Sequence, residues 1–190
     1  EYNSICKKQI KIIKSGRKEA LKMEKKILSL DGYTLYRDGK SGRFFCNGQA
    51  TNHGEFIEKV VTERMFDQEW KKDHVPYNSG SDVSANGIGY SIKSSKASLT
   101  ELLLTDDKSE NSKNAIIKKF LATVISTMFL YGVEINGEIV VYQMNKNEFE
   151  KFLRDMWTMD KQSGKDKYKL RIRKADSVVV QYFENMLATA

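Results

Sequence analysis

The stretch Ser79-Gly80-Ser81-Asp82-Val83-Ser84-Ala85-Asn86-Gly87-Ile88-Gly89-Tyr90-Ser91-Ile92-Lys93 decides how the rest of the chain is read. Asn-Gly is the strongest short hairpin signal, because both residues accept the positive φ that a tight reversal needs. A turn over Ser84-Ala85-Asn86-Gly87 joins a short strand near Ser81–Val83 to a strand over Ile88–Ser95. Side chains alternate along a strand, so Gly89, Ser91 and Lys93 share one face and Ile88, Tyr90 and Ile92 the other. Asp82 lies at the end of the first strand. The polar face then presents a carboxylate, a hydroxyl and an ammonium together, and the apolar face can pack on a helix.

That set suits divalent-metal phosphodiester hydrolysis. A carboxylate holds a hard cation through oxygen. The cation polarises a phosphoryl oxygen and lowers the pKa of a bound water. A lysine beside that water orients it and stabilises the developing charge. Asp82 and Lys93, eleven positions apart across a hairpin, resemble the PD-(D/E)XK nuclease superfamily, and within it the type II restriction endonucleases. The family pattern is an Asp, a hairpin, then Asp/Glu-x-Lys. Ser91 stands where the family carries the second acid. The resemblance implies a catalytic set of Asp82, Ser91, Lys93 and a helix glutamate, with the Ile92 carbonyl as a further metal ligand. It also implies Mg²⁺ as cofactor, with Mn²⁺ able to substitute.

The family places a glutamate-bearing helix before the hairpin. Here Thr51 or Asn52 can cap a helix over about 54–67, with the apolar stripe Phe56, Ile57, Val60, Val61 and Met65. Glu55 and Glu58 share one face of it, and Gly54-x-x-x-Glu58 resembles the family's helix motif. Glu58 is the favoured metal-facing acid and Glu55 the alternative. Both also suit a helix N-terminus simply as acids. His53 flanks that terminus. Beside the site, Asn78, Ser81, Ser94, Ser95 and Lys96 are candidate contacts to a phosphate backbone. Arg37, Lys40, Arg43, Arg171 and Arg173 are candidates for base readout. Trp70 and Trp157 read as core or interface anchors.

Outward from the hairpin, residues 4–29 read as a basic helix, and 33–37 and 43–46 as two strands about a Gly-rich turn. Residues 98–104 read as a short helix or turn and 106–114 as a loop; 114–131 form a strongly apolar helix. A strand over Glu138–Met144, a helix over 146–159 and a strand over Tyr168–Arg173 follow; Ser177–Leu187 suits either strand or helix. The class is α/β (α+β), and the resemblance makes it a restriction-endonuclease-like three-layer α/β/α core with a central mixed sheet. One nuclease-like domain is expected over 1–190: a basic helix and hairpin appendage at 1–49, a catalytic core at 50–145 and a C-terminal extension at 146–190.

Charge points to the partner. Residues 1–43 hold 12 basic and 5 acidic residues, whereas 44–190 hold 20 of each. A second basic cluster runs over Lys161–Lys174, where Lys169, Arg171 and Arg173 alternate with Leu170 and Ile172. Such excess serves a polyanion. The expected function is a Mg²⁺-dependent endonuclease on double-stranded DNA, of the sequence-specific restriction type. The alternative is a non-catalytic nucleic-acid-binding module using the basic N-terminal helix and the 161–174 strand. The apolar 115–131 helix offers a homodimer face. Cys6 and Cys46 are too few and too far apart for a disulfide framework or zinc site, and two histidines are too few for a His-rich metal centre. No apolar run reaches membrane-span length and no signal-peptide pattern opens the chain, so a cytoplasmic location without a membrane partner is expected.

Overall fold

The computed structural model describes residues 23–70, 81–94, 102–103, 110–161 and 167–189. Within them a five-stranded mixed sheet runs in the order β1 (Glu24–Ser29), β9 (Glu138–Asn145), β8 (Met128–Ile135), β6 (Ile88–Ser94) and β5 (Val83–Ala85). Neighbours are antiparallel except β6 and β8, which run parallel. Four helices are described: α1 (His53–Phe66), α2 (Glu110–Thr123), α3 (Lys146–Met156) and α4 (Asp176–Thr189). Two three-stranded sheets complete the set. One orders β2 (Leu35–Arg37), β3 (Phe44–Cys46) and β4 (Gln49–Thr51); the other orders β10 (Trp157–Lys161), β11 (Lys167–Ile172) and β7 (Leu102–Leu103).

The alternation of side chains along β8 divides the core. Phe129, Tyr131 and Val133 pack with Ile116 and Ile117 of α2, Phe149 and Phe152 of α3, and Val179 and Phe183 of α4. Met128 and Leu130 pack instead with Phe56, Ile57, Val60 and Val61 of α1. Helices therefore cover both faces of a mixed α/β fold. On the first face Phe129 stacks on Phe149 (centroids 4.0 Å) and Tyr142 on Phe183 (4.5 Å). On the second, Gly132 lets α1 settle close: a Cβ there would lie 2.5 Å from Ile57 Cγ2.

Several expectations are corrected. The apolar run from 114 to 131 is not one helix: α2 ends at Thr123 and Met128 begins a strand. Burial on both faces makes a central strand apolar throughout, so it lacks the alternation that would mark it. The helix also starts earlier, at Glu110, inside the expected loop. Residues 24–29 form strand β1, not the end of a basic helix, and residues 1–22 lie outside the described ones. As an edge strand carrying Glu24, Lys25 and Lys26, β1 shows the charge that discourages further pairing. Asn47-Gly48, both at positive φ, close an unforeseen turn into β4. Residues 157–159 leave the expected helix to begin β10, Leu102–Leu103 pair with β11 as strand, and the C-terminal segment is helical. Among the described residues β1 pairs with β9, and α3 and α4 pack into one core with β8. Among the described residues no helix is long and apolar enough to cross a membrane.

Candidate functional site

The hairpin forms at Asn86-Gly87, but its first strand is Val83–Ala85 and not Ser81–Val83, so Ser84 and Ala85 are strand residues and Asp82 stands just before it. Asn86 and Gly87 sit at φ 52° and 75°, and Val83, Ser84 and Ala85 face Tyr90, Gly89 and Ile88. The Asp82 amide donates to the Tyr90 carbonyl at 2.8 Å, carrying the ladder one residue past the strand. That register sets Asp82 beside Ser91. The apolar face of β6 behaves as expected, with Tyr90 and Ile92 in the core beneath α1.

Asp82 Oδ2 is the hub. It accepts from the Ile92 amide at 2.5 Å and from Ser91 Oγ at 3.2 Å, and Lys93 Nζ stands 3.6 Å away. The same Lys93 ammonium donates to the Ile92 carbonyl at 3.0 Å. Asp82 and Lys93 side chains are each 20% exposed, sheltered yet open to solvent. Ser91 is buried, and its hydroxyl orients the carboxylate.

Helix α1 brings the second acid. Trp70 Nε1 donates to Glu58 Oε1 at 3.1 Å, and Lys59 Nζ lies 5.6 Å from the Trp70 ring centre. Burial holds the Glu58 carboxyl above its ordinary value, and the Asp82 charge pushes it further the same way. The Trp70 hydrogen bond and Lys93 pull it back in part. Glu58 thus feels both the Asp82 carboxylate and the Lys93 ammonium.

Glu55 serves the start of the helix, the second of the two readings its position allows. Its carboxylate accepts from the Asn52 amide at 3.2 Å while Asn52 Oδ1 accepts from the Glu55 amide at 3.0 Å, a reciprocal capping box. This closes the start of α1 and leaves Glu58, one turn on, as the acid that feels Asp82. His53 Nε2 lies 3.5 Å from the Glu134 carboxylate. Ser94 is 3% exposed, too enclosed to meet a phosphate as expected. Ser81 Oγ and Ser126 Oγ are 2.9 Å apart, tying the hairpin's entry to the chain before β8. Asn78, Ser95 and Lys96 lie outside the described residues. Arg37 ends β2, and Lys40 and Arg43 lie in the turn between β2 and β3. Arg171 is on β11 and Arg173 just beyond it, where Arg173 pairs with Asp160. Trp157 is core, as expected, but Trp70 was missed as a partner of the site. Its signal was faint: a single aromatic in the polar run Gln68-Glu69-Trp70-Lys71.

A divalent metal can be tested against these donors. Among the described residues no three His, Cys, Asp or Glu side chains cluster as a ready-made cage. The oxygen donors are Asp82, Glu58 and the Ile92 carbonyl. Mg²⁺ is commonly held by one or two carboxylates and keeps several waters, so this sparse hard-oxygen set fits it better than Zn²⁺ or Ca²⁺. The chain matches no known protein family model, no curated protein and no solved structure.

Proposed function

We propose that this protein is a Mg²⁺-dependent endonuclease hydrolysing DNA phosphodiester bonds, of restriction-endonuclease-like architecture and recognising its sequence in double-stranded DNA. One observation supports this reading above the others. Asp82, Lys93 and the Ile92 carbonyl form one hydrogen-bonded group, and Glu58 stands close enough to feel the Asp82 charge. A carboxylate whose ionisation is opposed by burial and by a neighbouring negative charge gains from a cation beside it. Asp82, Glu58 and the Ile92 carbonyl would hold the metal. When bound, it polarises the phosphoryl oxygen and supplies an activated water. Lys93, giving up the Ile92 carbonyl when the metal binds, would contribute a positive charge beside the phosphate, in a sheltered position where such a charge counts for more than in water. Ser91, lacking a carboxylate, holds Asp82 in place.

The test is cleavage of supercoiled plasmid in Mg²⁺, with EDTA as control, comparing wild type with Lys93→Ala and Asp82→Asn. Asparagine is preferred to alanine because it retains an acceptor for the Ile92 amide. Loss of cutting in both variants, with unchanged melting curves, is the expected result. Cutting at the wild-type rate by both would remove this site from the reaction. A non-catalytic nucleic-acid-binding module is the second reading, favoured by the three donors already gathered at Asp82 Oδ2. It predicts salt-sensitive DNA binding indifferent to EDTA, and no cleavage.

A further inference from the structure

The small β2–β3–β4 sheet has two unlike faces. Its register sets Tyr36 opposite Phe45, and Phe45 opposite Ala50, so these three side chains form one row across the strands. Leu35 and Cys46 fall on the other face. Cys46 is buried there and Leu35 packs against the core that holds Phe56 and Val60. The row of Tyr36, Phe45 and Ala50 therefore faces away from the body of the protein. Tyr36 is 47% exposed, an unusual position for a large aromatic. Its ring lies flat on Phe45, with centroids 5.3 Å apart and planes 9° from parallel. Ala50, exposed and small, adds a methyl group and no obstacle to the same floor.

The rim of this floor is cationic. Lys40 and Arg43 are exposed in the turn between β2 and β3, whereas Arg37 alternates onto the other face and lies 5.5 Å from the Phe44 ring centre; Asp38 is the one acid between Gly32 and Gly54. The Asp38 carboxylate is turned into its own loop, accepting from the Ser41 amide at 2.9 Å and from Lys40 N at 3.4 Å. A flat aromatic floor rimmed by cations has two complements in one ligand: a planar ring for the floor and phosphates for the rim.

We propose that this face docks an unpaired stretch of nucleic acid, with a base stacked on Tyr36 and adjacent phosphates held by Lys40 and Arg43. Such stacking is tolerant of sequence, because every base has a π-face. A duplex keeps its bases stacked on each other and cannot use Tyr36 in this way. An acidic protein segment would satisfy the rim but not the floor. The inference goes beyond the hydrolytic reading and does not depend on it. It gives the protein a grip on single-stranded regions through the segment that runs by way of Asn52 into α1, the helix of Glu58.

The experiment is fluorescence anisotropy in EDTA, so that no cleavage can intervene. The probes are a labelled thymidine oligonucleotide of about 15 nucleotides, a duplex of the same length and a labelled poly-glutamate peptide. Tyr36→Ala is expected to weaken binding of the single strand about tenfold and Tyr36→Phe to retain it. Duplex binding stays unchanged in both. Lys40→Glu with Arg43→Glu is expected to weaken the single strand and flatten its salt dependence. Wild-type affinity in Tyr36→Ala overturns the proposal. So does equal loss on strand and duplex, or preference for poly-glutamate over the oligonucleotide. Because all arms run without metal, failure here leaves the plasmid assay free to succeed, and the converse.

Discussion

In the proposed metal site Lys93 competes with the cation, and replacing the lysine should separate stability from metal affinity. Its ammonium lies 3.6 Å from Asp82 Oδ2 and donates at 3.0 Å to the Ile92 carbonyl, two of the oxygens assigned to the metal. Lys93→Met keeps the length of the side chain and removes the charge. Exposed ion pairs contribute a few tenths to about 1 kcal/mol, and hydrogen bonds to charged groups about 1.5–3 kcal/mol. For this sheltered but accessible pair the loss on substitution is about 1–2 kcal/mol, between those ranges. The variant should therefore unfold at lower urea concentration when EDTA is present. Its Mn²⁺ affinity should move the other way. The two oxygens no longer have a resident cation to give up, and about 1.4 kcal/mol returned to the ion is tenfold tighter binding. Binding then restores the lost stability by mass action as Mn²⁺ rises above its Kd. Urea melts with and without Mn²⁺, together with calorimetric Mn²⁺ titration of both proteins, measure every part of this. A variant that binds Mn²⁺ no more tightly than wild type would refute the idea that lysine and metal share a place. Absence of Mn²⁺ binding in both proteins would remove the metal site itself.

Three further outcomes follow from the same geometry. Glu58 has a folded pKa raised above its ordinary 4.5, so its contribution to stability is complete below the unfolded value and is lost as pH rises through the folded one. Glu58→Gln should flatten that decline and be more stable than wild type at neutral pH without metal; an unchanged pH profile in thermal melts would contradict the placement. Trp70→Phe removes the indole donor to Glu58, raises that carboxyl further and costs about 1 kcal/mol at neutral pH. The cost should shrink once acid has neutralised Glu58, which pH-resolved melts will show. Gly132→Ala drives a methyl into Ile57 and should destabilise by about 1–3 kcal/mol. In an Ile57→Ala background the same change should cost almost nothing; equal costs in both backgrounds would mean α1 does not dock on β8 as described.

Where structure followed from short-range chemistry, the sequence was sufficient. Asn86-Gly87 makes a two-residue reversal because each residue adopts positive φ. Alternation through β6 put Ser91 and Lys93 on one face and Tyr90 and Ile92 on the other, and so placed the lysine beside Asp82. Leu170 and Ile172 are buried on β11 as their alternation with Arg171 and Arg173 required. These features need only neighbours in the chain, so their signals are local.

What depended on distant partners was not legible. The run that begins β8 carries the same apolar residues a buried helix would. Only parallel pairing with β6 and helices on both faces make it a strand. Residues 24–29 lie in a segment rich in helix-compatible lysines, yet β9 offers an open edge and takes them as β1. Glu55 and Glu58 share one helix face, and only the resemblance of Gly54-x-x-x-Glu58 to a family motif favours Glu58. Tertiary structure separated them, giving one to the Asn52 cap and setting the other against Trp70 and the field of Asp82. Backbone turns and side-chain alternation are decided within a few residues, whereas burial, strand pairing and the field at a carboxylate are decided by whatever the folded chain brings alongside.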